Sequence, residues 1–331
     1  MSVDSSRSSV IAALIGNTVV AVFKFVAFFV TGSGTMLSEA IHTVADVMNQ
    51  VLLLVGIVRS QRDPDEDFEY GYGPERFVWA LMSAVGIFFL GCGVTIYHGV
   101  SSLLHPHEVT GLGWAVGVLI GALVVEGYVL SIATRGLMRL RGDIPFWTYV
   151  RERADPSAVA VLLEDAAACL GCIIALTAIG LVHVTGETYW DAIGSIAIGV
   201  LLGFVALWLI GRNRALLVGS AMPTDARARV REVLRRHPAV EELVEFKSKV
   251  IDTETYDVLL TIEFKGERFA QRLRPELEAA YTQINDVDEF VVQAGRFADK
   301  VLSLLGDEID LIEAEIREAV PQVKIIDIEP N

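Results

Sequence analysis

Basic residues are few in this chain: 27 Lys and Arg stand against 42 Asp and Glu, a formal net charge of −15. They form no cluster of the kind that neutralises phosphates, which excludes nucleic acid as a partner. Cysteine is scarcer still. Cys92, Cys169 and Cys172 make an odd count, all within apolar runs, so they imply neither a disulfide framework nor a redox compartment. Aromatic residues reach only 8%, which leaves little to line a path for an organic cation. No HExxH pair or comparable constellation is present, which argues against an intramembrane metallohydrolase and against an enzyme generally. The opening MSVDSSRSSV is too short and too weakly charged for a transit peptide. No cleavage site follows the first apolar run, so that run is expected to be a membrane span.

Hydrocarbon is what the chain has in abundance: 53% of its residues are hydrophobic, with a mean hydropathy of +0.48. Runs of roughly 20 residues with few charges suit a helix crossing a bilayer. Six such runs fall at about 10–32, 37–59, 75–102, 111–136, 157–183 and 189–211. After about residue 215 the composition becomes that of an ordinary charged globular domain. The expected organisation is a short N-terminal segment at 1–9, a six-helix transmembrane domain at 10–214 and an α/β domain at 215–331. The connections sort by charge. TGSGTM, HPHEVTGLG and HVTGETYW carry no Lys or Arg, whereas Arg7, Arg59, Arg62, Arg76, Arg135, Arg139, Arg141, Arg151, Arg153, Arg212 and Arg214 all lie toward the other side. The positive-inside rule then places both termini and the C-terminal domain in the cytoplasm, and a bacterial inner membrane is the expected location.

The C-terminal domain reads as mixed α/β. TDARARVREVLRRHP is a helix with Thr224 as its expected N-cap. ELVEFKSKVID and TYDVLLTIEFKG form a hairpin, RLRPELEAAYTQ adds a helix, and apolar residues at helical spacing from Val301 to Ile316 mark a long helix over about 286–320. VKIIDIEP closes as a strand. This order is ferredoxin-like with one strand missing or replaced. A small sheet of this kind has an edge or face that a second copy can cover, so a homodimer is expected.

Ionisable residues at membrane depth mark function by default, because an Asp or Lys at the centre of a span costs about 2.5–3.5 kcal/mol on insertion scales. The first span carries Asn17 and Lys24, the second Glu39, His42, Asp46 and Asn49, the fourth Glu126, and the fifth Glu164 and Asp165; the sixth begins at Asp191. His42 and Asp46 are four apart, one turn above each other and offset by about 40°, a half-site for a divalent transition metal. Asp165 shares a helix face with Cys169 and Cys172, and Glu164 with Ala168. Glu164 and Asp165, about 100° apart, either straddle a metal or divide coordination and proton carriage between them. Cys169 is a possible further ligand, although both cysteines of this helix suit packing. Lys24 and Glu126 are expected to pair between helices, since an unpaired charge there is costly. Glu39 reads as a helix start or an access residue, and Asn49 as packing. The acidic run DPDEDFE reads as a solvated loop, as do His105 and His107.

Six spans, an HxxxD pair in the second, acids in the fifth and a small α/β tail resemble the cation diffusion facilitators. SEAIHTVADVMNQVLLLVGI, SAVGIFFLGCGVTIYHGVSSLLHP, VLLEDAAACLGCIIA and GDEIDLIEAEIREAVPQVKIIDIE are similar to the zinc transporter 9-like branch. The resemblance implies secondary transport of Zn²⁺ or a similar divalent cation in exchange for protons, with no organic cofactor and a site between the second and fifth spans. By position it implies His42 and Asp46 as ligands, with Glu164 or Asp165 as the first ligand of the fifth span. The family's second ligand of that span falls at Ala168 or Cys169. Where relatives place loop histidines for another zinc ion, this chain has Phe68 and Tyr72 beside Asp65, so no zinc is expected there. The tail offers only His237, with Asp327 and Glu329, toward the family's tail cluster. A transporter selective for Mn²⁺, Fe²⁺ or Co²⁺, or a membrane metal sensor without transport, stands as the alternative.

Overall fold

The computed structural model describes residues 3–105, 112–252 and 255–331. The chain divides into two compact units, Met1–Val218 and Gly219–Asn331. The first is helical: α1 (Val3–Thr31), α2 (Gly34–Arg59), α3 (Glu75–Gly86), a π-helical stretch (Ile87–Val94), α4 (Thr95–Leu104), α5 (Leu112–Leu140), α6 (Phe146–Glu152), α7 (Pro156–Thr185) and α8 (Tyr189–Val218). From α3 through the π-helical stretch to α4 the chain makes one continuous span. Among the described residues, six helical segments are long and apolar enough to cross a membrane. Each begins or ends within a few residues of its expected run. The last continues to Val218, so the structural division falls at Gly219.

Local chemistry explains the ends of these helices. Asp155 caps α7 by accepting from the backbone N–H of Ser157 at 2.8 Å and of Ala158 at 3.2 Å, with Pro156 at the first helical position, where its missing N–H costs nothing. Gly186, at φ 75°, ends the helix in the left-handed region that favours glycine. The same Asp155 binds Arg76, at the start of α3, at 2.6 Å, joining two helix ends. Packing between helices rests on small residues, as it must where lipid supplies no hydrophobic drive. A Cβ on Gly199 of α8 would sit 2.6 Å from the Ile96 side chain, and one on Gly99 of α4 would sit 2.6 Å from that of Ile196. The two glycines therefore let α4 and α8 approach each other closely.

The second unit contains α9 (Thr224–Arg236), β1 (Val240–Asp252), β2 (Thr255–Phe264), α10 (Gly266–Tyr281), α11 (Val287–Ala319) and β3 (Val323–Pro330). The sheet order is β1-β2-β3, with β1 antiparallel and β3 parallel to β2. Val258, Leu260 and Ile262 of β2 pack against Val230 and Leu234 of α9 and Ile312 and Ile316 of α11, the period-two pattern of a strand with one buried face. This is the ferredoxin-like unit without its first strand. Two details differ from expectation. Thr224 is the first helical residue rather than the N-cap, because Pro223 holds the flanking position and no side chain caps α9. The helix expected at RLRPELEAAYTQ starts earlier, at Gly266, and contains Pro275.

Candidate metal centre

The inner face of α2 is polar in an otherwise apolar unit. Glu39, His42, Thr43, Asp46, Asn49 and Gln50 recur at helical spacing and all are buried, whereas Val44, Met48 and Val51 on the opposite side are exposed. In a bilayer this inverted amphipathicity aims the costly groups at neighbouring helices and the hydrocarbon at lipid. The start of α2 is fixed by Asp191 of α8. Its carboxylate accepts from the Ser33 hydroxyl at 2.7 Å, the Thr35 hydroxyl at 2.6 Å, the Thr35 backbone N–H at 3.2 Å, and also the Gly34 N–H. The two N–H groups are orphan donors of a helix N-terminus, met by a negative charge that the helix dipole also favours. In the sequence, Asp191 reads only as the first residue of the sixth span.

His42 Nε2 lies 3.4 Å from Asp46 Oδ1, so the expected pair faces one point on α2. Two contacts set the opposing helix in register. Cys172 Sγ donates to Glu39 Oε2 at 3.3 Å, and the Asn49 amide donates to Glu164 Oε2. The helices therefore run antiparallel, the ten residues of α2 between these contacts facing eight of α7. Between them, His42 falls near the level of Cys169 and Asp46 within about a turn of Asp165. Asn49 also accepts from the Ser83 hydroxyl of α3, so Glu164 is held by a relay from a third helix. Asn49, which the sequence assigns to packing, thus touches a candidate site residue. Its signal was its position, three residues after Asp46 on the same face. Ser83 carried none.

Among the described residues, no three His, Cys, Asp or Glu side chains converge tightly enough to hold a metal ion. The candidate groups stand on separate helices, His42 and Asp46 on α2 and Glu164 and Asp165 on α7. Their chemistry nevertheless fits a cation. Buried polar atoms are ordinarily satisfied, yet Glu39 Oε1, both ring nitrogens of His42, Asp46 Oδ1, Gln50 Oε1, Glu126 Oε1, Glu164 Oε1 and Asp165 Oδ2 have no hydrogen-bond partner. All of these atoms except the imidazole N–H are acceptors, concentrated on α2, α5 and α7.

The expected Lys24–Glu126 ion pair is present, with a nearer partner beside it. Lys24 is fully buried, and its Nζ donates to Glu39 Oε2 at 2.9 Å and to Thr43 Oγ1 at 2.9 Å, while Glu126 Oε1 stands at 4.0 Å. Glu39 is therefore the near partner and Glu126 the outer one. Glu39 is neither a helix start nor solvated: α2 begins five residues earlier, at Gly34. Gly171 of α7 leaves room for its carboxylate, since a Cβ there would lie 2.2 Å from Glu39 Oε1.

Elsewhere the polar groups are occupied locally. Asp65 accepts from the Tyr72 hydroxyl at 2.7 Å and from the N–H groups of Phe68 at 2.9 Å and Asp67 at 3.1 Å. The Tyr72 bond, with those of the backbone, holds this carboxyl below its ordinary range. His105 is exposed just past α4, and His107 lies outside the described residues. His237 sits after α9 rather than on it, buried 3.6 Å from Glu308 of α11, which also binds Arg272 at 3.0 Å. Asp327 and Glu329 are exposed on β3 and do not join it.

The cation efflux transmembrane domain matches residues 10–218. The human protein named proton-coupled zinc antiporter SLC30A9, mitochondrial, is 36% identical over 319 residues, covering 93% of this chain and 55% of that protein. Metal tolerance protein C4 of Arabidopsis thaliana is 36% identical over 336 residues, covering 98% of this chain and 74% of that protein. Magnetosome protein MamM of Paramagnetospirillum magneticum is 30% identical over 126 residues, 36% of this chain. The chain spans about half the length of the first curated relatives it matches. With six apolar helices, a polar seam between the second and fifth of them, and these matches, the chain is a multi-pass membrane protein that belongs to the cation diffusion facilitator family, in its zinc transporter 9-like branch.

Proposed function

We propose that this protein exports Zn²⁺, or a similar divalent transition metal, in exchange for protons, by alternating access around a site between α2 and α7. The observation that carries the reading is the set of buried polar atoms without hydrogen bonds, centred on the His42–Asp46 pair. His42, Asp46 and Asp165 are the proposed ligands, with Cys169 level with His42 as a possible fourth. Glu164, held by Asn49, is the proposed further ligand, and it carries the coupled proton when the metal leaves. Imidazole and carboxylates bind metal only when deprotonated, so metal arriving from the cytoplasm releases protons, and protons arriving from the other face release metal. A nitrogen-and-oxygen donor set suits Zn²⁺ and also accepts Mn²⁺, Fe²⁺ or Co²⁺. The relative named a proton-coupled zinc antiporter supports zinc and proton coupling. The Arg-rich connections support cytoplasmic termini in a bacterial inner membrane, and the active form is proposed to be a homodimer.

The test is Zn²⁺ uptake into proteoliposomes with an acidic lumen. Wild type accumulates Zn²⁺ while the lumen loses protons. Asp46→Ala is expected to lose uptake by at least the roughly 10–100-fold that even supporting residues of metal sites cost. Transport by Asp46→Ala at the wild-type rate overturns the site. Metal binding without flux in wild type favours a sensor.

A further inference from the structure

Lys24 is a cation placed among the unpartnered acceptors of a cation pathway. Its side chain is fully buried, from α1, and its ammonium binds Glu39 Oε2 and Thr43 Oγ1 on α2, each at 2.9 Å, with Glu126 Oε1 of α5 at 4.0 Å. Cys172 of α7 reaches the same Glu39 oxygen at 3.3 Å. Three helices, α2, α5 and α7, thus supply two carboxylates, a hydroxyl and a thiol around one positive charge carried by a fourth, α1. Glu39 Oε1, and Glu126 Oε1 at its 4.0 Å from the ammonium, have no hydrogen-bond partner. Without the lysine, this donor set would suit a divalent transition metal. Glu39 lies one turn of α2 before His42 and so adjoins the proposed transport site. Two carboxylates with no positive charge between them repel strongly in a low-dielectric interior, so the position takes up positive charge, as a proton or as a cation.

We propose that Lys24 is a tethered cation occupying, in place of a second divalent ion, a cage formed by Glu39 and Glu126, and that it thereby holds the pathway to one exchangeable metal ion. The ammonium cannot leave with the cargo. It keeps both carboxylates from drawing metal away from His42 and Asp46, and makes Lys24 a positioning residue that sets stoichiometry. This inference rests on the transport site proposed above, and the experiment separates the two.

Full-length protein is purified in detergent, equilibrated with Zn²⁺, and its bound zinc counted per chain by elemental analysis. Wild type is expected to hold one ion and Asp46→Ala none. Lys24→Ala, which opens the cage, is expected to hold one ion more than wild type, and Lys24→Arg no more than wild type. Lys24→Ala/Glu39→Gln is expected to lose the additional ion. A merely structural ion pair would not move this count. If Lys24→Ala unfolds in metal-free buffer, regaining cooperative melting in Zn²⁺ supports the cage. A failure to be rescued by Zn²⁺ overturns it, as does a folded Lys24→Ala with the wild-type count. An unchanged count in Asp46→Ala contradicts the transport site instead, whatever Lys24→Ala does.

Discussion

Asn49 shows how one amide can link an acid on a second helix to a hydroxyl on a third. It donates to Glu164 of α7 while accepting from Ser83 of α3, so the Glu164 carboxylate has one oxygen engaged and one free. Asn49→Ala removes that constraint and leaves a buried carboxylate without its donor. Zn²⁺ affinity measured by calorimetry is expected to fall by about 10–100-fold, the range for residues that orient metal ligands. Asn49→Gln, with the same group on a longer stem, is expected to restore part of it. An unchanged affinity for Asn49→Ala removes Asn49 from the site. What the sequence showed at this scale was the helical spacing of Glu39, His42 and Asp46, because charges stand out against hydrocarbon and a single helix fixes their common face. The choice of Glu39 over Glu126 by Lys24 was not legible. It depends on how three helices rotate against one another, which spacing along any one of them does not contain. Nor was the cap that Asp191 provides, since nothing near Ser33 in the chain points to a residue in the last span.

Among the elements, the spans were legible to within a few residues because hydropathy and bilayer thickness bound them. The π-helical stretch Ile87–Val94 inside the third span has no comparable signal. The α10–α11 hairpin was legible as two helices, but its exposed apolar face was not. Arg272–Glu308 at 3.0 Å and the Lys300–Glu276 pair tie the two helices together. Val287, Phe290, Val291, Ala294, Phe297, Ala298, Val301, Leu304 and Leu305 repeat along α11 with the heptad spacing of a helix that packs on another helix. Yet Val287 is 75% exposed, Phe290 57% and Val291 60%, with Tyr281 of α10 78% exposed beside them in sequence. A contiguous apolar surface of this kind marks an interaction site, and a self-complementary hairpin suits the proposed homodimer. Phe290→Glu is expected to weaken dimerisation by at least about tenfold, equivalent to roughly 1.4 kcal/mol, read as a shift toward the monomer in light scattering. A dimer unaffected by Phe290→Glu moves the interface elsewhere, to the sheet edge that the strand order leaves open.

At the scale of the molecule, two units meet at Val218–Gly219: a helical bundle with a polar seam, and a small α/β unit whose buried histidine serves Glu308 and its arginines. The family is shown by matches that run through both units, and the proposed transport chemistry belongs to the seam alone. The most direct test is therefore the position of the cargo. Crystals or two-dimensional arrays of the full chain soaked in Zn²⁺ and measured at the zinc absorption edge give an anomalous peak for each bound ion. The account predicts a peak between α2 and α7, within bonding distance of His42, Asp46 and Asp165. A zinc-loaded protein with no peak there, and with density instead beside His237 or Asp65, would contradict it.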